Sequence, residues 1–170
     1  MKKIVLIGFA ACYKSSVGKL LADRLGYAFV DTDKEIERAN KMSVQQIFEK
    51  YGESSFRKKE SELLRTLNAN LLAKPTNIVV ACGGGSVLAD GFDEFACDSI
   101  VVCLTASAET VHARLGSVLR PLFDGLAEDE LNSYMQQRTP LYNKYANAIF
   151  ATDGKTSEQV AEQIVDWISR

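Results

Sequence analysis

The sequence predicts an α/β protein, a doubly wound parallel sheet of five strands with helices on both faces. Two observations predict it. Five short apolar runs rich in β-branched and aromatic residues fall at 3–7, 27–30, 78–81, 100–104 and 148–151, and longer segments with helical periodicity separate them. Strands joined through helices need right-handed crossovers, which make the strands parallel and cover both faces of the sheet.

The first run, KIVLI, is apolar throughout, as a strand buried on both faces must be. The basic start ahead of it has the look of a secretory leader, but the run is short and passes directly into Lys14-Ser15 and a helical pattern, so a first strand is the better reading. Val17, Leu20, Leu21 and Leu25 then recur on one helical face, and Gly26 ends it. The second strand follows at once. Ser43 and Gln46 have capping-box spacing, and Leu64, Leu67 and Leu71 mark a helix beyond them. After the last strand, Thr156 and Gln159 repeat that spacing and open a helix marked by Val160, Ile164 and Ile168. The stretch 116–130, interrupted by Pro121 and Gly125, reads as a flap that closes over a site. No repeat or linker divides the 170 residues, so 1–170 is expected to be one domain, large enough to bury its own core as a monomer.

A net charge of -2 leaves no basic surplus for nucleic acid or an anionic membrane, so any bound anion must be gripped locally. No run approaches the ~20 apolar residues of a membrane helix. Cys12, Cys82, Cys97 and Cys103 form no C-x-x-C pair and are joined by one histidine, His112. That argues against zinc and a disulfide framework, and reduced buried thiols fit a cytoplasmic protein.

In a doubly wound sheet, ligands bind beyond the carboxyl ends of the strands. Three polar segments fall there and would face one crevice. The first, GFAACYKSS at 8–16, would present N–H groups and a helix dipole to phosphate, with Lys14 on the outer phosphates and the Ser15 hydroxyl on magnesium. The phosphate-loop pattern G-x-x-x-x-G-K-[ST] is broken at Tyr13, and the plainer alternative makes Ser15 a helix cap and Lys14 a solvated charge. The second is Asp31-Thr32-Asp33. In extended geometry both carboxylates project to one side, one toward a metal-bound water and the other toward a substrate hydroxyl; the alternative is that one merely caps the next helix. The third is Gly83-Gly84-Gly85, where backbone approaches something closely or the turn is simply flexible. Arg57, Arg114, Arg120 and Arg138 are candidate anion forks, and Arg120 in the flap would stabilise charge in phosphoryl transfer. His112 has no nucleophile partner at a motif spacing and reads as a helix-surface residue.

The stretches IGFAACYKSSVGKLLADRLGYAFVDTDKEIE, SVQQIFEKYGESSFRKKE, CGGGSVL, RPLF and RTPLYNKYA, in that order, resemble the shikimate kinase family. The resemblance runs from Ile7 to Ala146. It implies a P-loop, nucleoside monophosphate kinase-like fold and magnesium-dependent transfer of the ATP γ-phosphate to the 3-hydroxyl of shikimate, in aromatic amino-acid biosynthesis. It implies that Ala11, Cys12, Tyr13, Lys14, Ser15 and Ser16 hold the ATP phosphates, with Arg114 on the adenine, and that Ser15 and Asp31 hold Mg2+. Asp33, Arg57, Gly83, Gly84, Gly85 and Arg138 would form the shikimate site, and Lys14, Asp33 and the lid residue Arg120 would act in catalysis. The loop departs from the family's G-x-G-K-[ST] at Ala11 and Tyr13. A left-handed Tyr13 would cost ~1–2 kcal/mol. A phenol ring turned into the nucleotide site would leave a shikimate-binding module without catalysis, and the paired arginines would also suit a kinase for another small hydroxy acid such as gluconate.

Overall fold

The computed structural model describes residues 1–115 and 127–170. All five strands form on the apolar runs: β1 Lys3–Ile7, β2 Ala28–Asp31, β3 Ile78–Ala81, β4 Ile100–Thr105 and β5 Ala148–Ala151. β2 begins one residue later than expected because Tyr27 still belongs to the preceding helix end. Its N–H donates to the Ala22 carbonyl at 2.9 Å, while Gly26 takes the left-handed C-cap conformation at φ 66°. The sheet is parallel throughout, in the order β2-β3-β1-β4-β5. Every residue of β1 and β3 is buried, so both faces of the sheet centre are covered.

Seven α-helices are assigned among the described residues: α1 Lys14–Leu25, α2 Thr32–Asn40, α3 Val44–Ala73, α4 Phe92–Ala96, α5 Ala108–Leu115, α6 Glu128–Tyr145 and α7 Ser157–Ile168. Both predicted capping boxes form: Ser43 and Gln46 open α3, and Thr156 and Gln159 open α7, each with reciprocal side-chain to backbone bonds. The leucine pattern at Leu64, Leu67 and Leu71 marks only the second half of α3, because Gly52 breaks the helix at φ 76°, ψ 171°. The flap expected over 116–130 lies outside the described residues except for 127–130, which open α6.

The main core gathers around β1, β3 and β4. A smaller cluster of Ile36, Ile47 and Phe56, flanked by Phe48 and Leu63, pins α2 to α3. That second cluster fixes the part of α3 from which Arg57 projects. Among the described residues no helix is long and apolar enough to cross a membrane.

Candidate active site

The chain leaves β1 through Gly8, whose φ of 134° and whose approach to the Leu104 carbonyl leave no space for a Cβ. The loop then turns through two residues with left-handed backbone that are not glycine, Ala11 at φ 58° and Tyr13 at φ 62°. Each costs about 1–2 kcal/mol. Tyr13 is the N-cap of α1, its carbonyl accepting the Val17 N–H at 2.8 Å, so Ser15 is not the cap that the plainer reading made it. The first N–H groups of α1 have no carbonyl one turn back and carry the positive end of the helix dipole. They border a cavity of about 330 Å3 walled by 10–16 with Asp31, Asp33, Gly84 and Arg114, a volume at the lower end for small-molecule sites. The Lys14 ammonium folds over the loop and donates to the Phe9 carbonyl at 2.6 Å.

The Tyr13 ring does not fill this cavity. It stacks against Arg114 at the end of α5, whose guanidinium carbon lies 3.8 Å from the ring centroid. Arg114 Nη1 donates to the Ala11 carbonyl and to Thr152 Oγ1, both at 2.9 Å, and Nη2 donates to the Thr152 carbonyl at 3.0 Å. Asp153 in turn accepts the Ser107 N–H at 2.8 Å, tying the end of β5 to the start of α5. That backbone hydrogen bond, with Thr110, holds the Asp153 carboxyl down at about 2.

Asp31 serves both readings offered for it. Its Oδ1 accepts the Lys34 N–H at 3.1 Å and caps α2, while its Oδ2 accepts a hydrogen bond from Ser15 Oγ. Asp33 is placed differently from expectation. The strand ends at Asp31 and α2 begins at Thr32, so the two carboxylates reach the same cavity through a strand-to-helix turn and not through extended alternation. Thr32 between them points inward, and its Oγ1 accepts the Gly83 N–H at 2.9 Å.

The glycine turn is a close-packed junction. A Cβ on Gly83 would lie 2.5 Å from Asp33 Oδ1, one on Gly84 would lie 3.3 Å from the Ala10 nitrogen, and one on Gly85 would overlap the Arg57 guanidinium. The turn thus touches the phosphate loop on one side and Arg57 on the other. Arg57 is held by a network that runs from exposed Glu53 to buried Glu60 and Ser86: Nη1 donates to Glu60, Nη2 donates to Glu53 at 2.9 Å, and Glu60 also accepts from Ser86 Oγ at 2.7 Å. Burial opposes the Arg57 charge, and the two glutamates more than compensate. Tyr142 of α6 donates to the Gly84 carbonyl; burial pushes its phenol up, and the nearby charges of Arg138 and Arg57 pull against that.

Arg57 does not line the cavity on the phosphate loop. It lines a separate one of about 260 Å3 along α3, with Ser54, Lys58 and Arg65, so Arg57 and the phosphate loop do not share one cavity among the described residues. Arg120 lies outside the described residues, and Ser16 is exposed beside Ser15 at the cavity rim. His112 is exposed on α5, as read from sequence. The four cysteines are unpaired, with only Cys97 exposed, and burial pushes the Cys12 thiol up and that of Cys103 to about 12. Sequence reasoning missed the parts played by Thr32, Glu60, Ser86, Tyr142 and Thr152. Only Glu60 left a signal, its spacing of three from Arg57 on a helix.

The model of a family described as shikimate kinase matches residues 10–169. The chain belongs to the shikimate kinase family. The shikimate kinase of Thermodesulfovibrio yellowstonii is 42% identical, over 97% of this chain and 94% of that protein. Among solved structures, the shikimate kinase from Acinetobacter baumannii in complex with shikimate superposes with a TM-score of 0.85 at 31% identity, covering 99% of this chain and 93% of that one. The enzyme from Aquifex aeolicus gives 0.81, also at 31% identity, covering 98% and 96%. The P-loop kinase fold and the shikimate kinase function are thereby shown, with ATP as co-substrate and Mg2+ as cofactor. A bare binding module and a kinase for another hydroxy acid are not favoured. The residues present suit magnesium: Ser15 and Asp31 set a hydroxyl and a carboxylate oxygen side by side, a hard donor pair that leaves further positions for phosphate and water.

Proposed function

We propose that this shikimate kinase transfers the γ-phosphate to the 3-hydroxyl of shikimate across the junction at Gly83 to Gly85. ATP phosphates lie on the N–H groups of 11–16, and Lys14 swings from the Phe9 carbonyl onto the outer phosphates. Bound Mg2+ supplies charge neutralisation there, held through Ser15 and Asp31. Shikimate sits beyond the glycine turn, its carboxylate forked by Arg57 and Arg138 and its hydroxyls held by Asp33. Asp33 accepts the proton of the attacking hydroxyl, and Arg120 of the lid neutralises charge as the phosphoryl group moves. Such a transfer needs little covalent help, so positioning and electrostatics account for the catalysis.

The observation that carries this reading is the glycine turn. It packs Asp33 and the phosphate loop against one backbone segment and Arg57 against the next residue. We further take residues 1–170 as one domain, a cytoplasmic monomer that binds neither nucleic acid nor membrane, in keeping with the net charge of -2. An ADP-coupled assay with shikimate and a panel of other hydroxy acids tests the function. Turnover dependent on both ATP and shikimate is expected; silence at millimolar ATP with folded protein, or a preference for gluconate, would refute it. Sedimentation of the purified protein tests the monomer.

A further inference from the structure

We infer that Tyr13 is a positioning residue of the nucleotide site: its ring holds the Arg114 guanidinium as a platform on which the nucleotide's planar base stacks. The inference rests on the reading that the cavity above the loop takes ATP, and it assigns a role to the residue that breaks the loop pattern.

The argument starts from what Arg114 has left to offer a ligand. Nη1 carries two N–H groups, and both are committed, one to the Ala11 carbonyl and one to Thr152 Oγ1. A third N–H, on Nη2, goes to the Thr152 carbonyl. An arginine that grips phosphate does so edge-on, with a fork of N–H groups. Here much of that edge is turned to the protein, so its planar face is what the cavity can use. One face lies over the Tyr13 ring at 3.8 Å. Guanidinium planes and aromatic rings both stack on flat π-systems, and a base is the flat part of a nucleotide. Arg114 and Tyr13 wall the same cavity as the N–H groups of the loop, so one ligand can reach both.

Four of its contacts fix the Arg114 plane, and two of these come from the phosphate loop itself: the Ala11 carbonyl and the Tyr13 ring. Both residues are left-handed and neither is glycine. Glycine at 13 would relieve the backbone and leave the plane of Arg114 held only at its edge. The ring therefore acts on the base and not on the phosphates.

Calorimetric titration with Mg-ADP and with Mg-pyrophosphate separates the two parts of the nucleotide. Wild type is compared with Tyr13→Gly, Tyr13→Phe, Arg114→Ala and the double variant Tyr13→Gly/Arg114→Ala. Glycine accepts φ 62° without strain, so Tyr13→Gly is expected to fold. ADP affinity should fall about 5- to 10-fold in Tyr13→Gly, the scale of one partly desolvated cation–π contact. Pyrophosphate affinity should stay within about twofold, Tyr13→Phe should match wild type, and the double variant should bind ADP no more weakly than Arg114→Ala. Undiminished ADP binding by Tyr13→Gly would overturn the inference alone. So would parallel loss of ADP and pyrophosphate, or independent losses that multiply in the double variant. Wild-type protein that binds shikimate but neither ADP nor pyrophosphate would overturn the nucleotide reading, and this inference with it.

Discussion

The two sides of the site, the phosphate loop that we propose takes the nucleotide and the Arg57 side that we propose takes shikimate, are held in shape by different kinds of chemical group. Around the phosphate loop the fixed points are largely main chain: the Phe9 carbonyl takes Lys14, the Ala11 and Thr152 carbonyls take Arg114, and the turn itself is made by left-handed backbone at Ala11 and Tyr13. On the shikimate side the fixed points are side chains in a buried network, Arg57 with Glu60, and Glu60 with Ser86. A site made from backbone N–H groups can accept a change of side chain so long as the φ and ψ angles persist. A site made from a carboxylate and a guanidinium cannot. That difference explains how a tyrosine can stand at φ 62° in the loop, a conformation that glycine would take without strain, with the backbone still turned toward the cavity.

The largest expected effect breaks the phosphate-loop side at Lys14, the side chain proposed to reach the outer phosphates. Lys14→Ala should lower kcat/KM on the order of 10³-fold, the cost of one preorganised charge in a phosphoryl-transfer site, with shikimate affinity by calorimetry unchanged. Equal loss of shikimate binding would show that the two sides are not separable. Next, Glu60→Ala should destabilise the fold by about 3 kcal/mol in urea denaturation, because Arg57 then keeps its charge with its buried partner gone. A neutral result would mean that the network does not hold the shikimate side. Gly85→Ala is more local. Its methyl group overlaps the Arg57 guanidinium, and the overpacking of about 1–3 kcal/mol should raise the shikimate KM about 10- to 100-fold while Mg-ADP binding stays as in wild type.

The smallest effect is set by pH. Asp153 sits at about 2 in the folded chain, below the ~3.9 of an unfolded aspartate. Its carboxylate therefore adds stability that is complete above roughly pH 4 and is lost as pH falls through the folded value. Asp153→Asn should melt slightly below wild type at neutral pH, and the gap in Tm should close on acidification toward about pH 2. A gap that does not change with pH would show that the carboxylate charge plays no part in tying β5 to α5.

The same contrast governs what the sequence made legible. Strand positions followed from apolar runs, and α1 and α7 from leucine and valine spacing and from Gly26 and the capping pair at Thr156, because burial and caps are written locally. That Lys14, Ser15 and Asp31 wall one cavity was readable because all three lie at or just past the carboxyl ends of strands β1 and β2. The direction of the Tyr13 ring was not readable. It depends on Arg114, about a hundred positions away, and on Thr152 beyond that. The contact between Gly85 and the Arg57 guanidinium escaped for a related reason: glycine in a sequence announces space without saying what occupies it.

Cys12 belongs to the loop with its side chain wholly buried in the core, while Cys97 is open to solvent. A water-soluble maleimide will therefore label Cys97 promptly, and will reach Cys12 only when the loop lifts away from the sheet. The ratio of the two alkylation rates is a clock for that lifting, and a nucleotide seated on the loop should slow it.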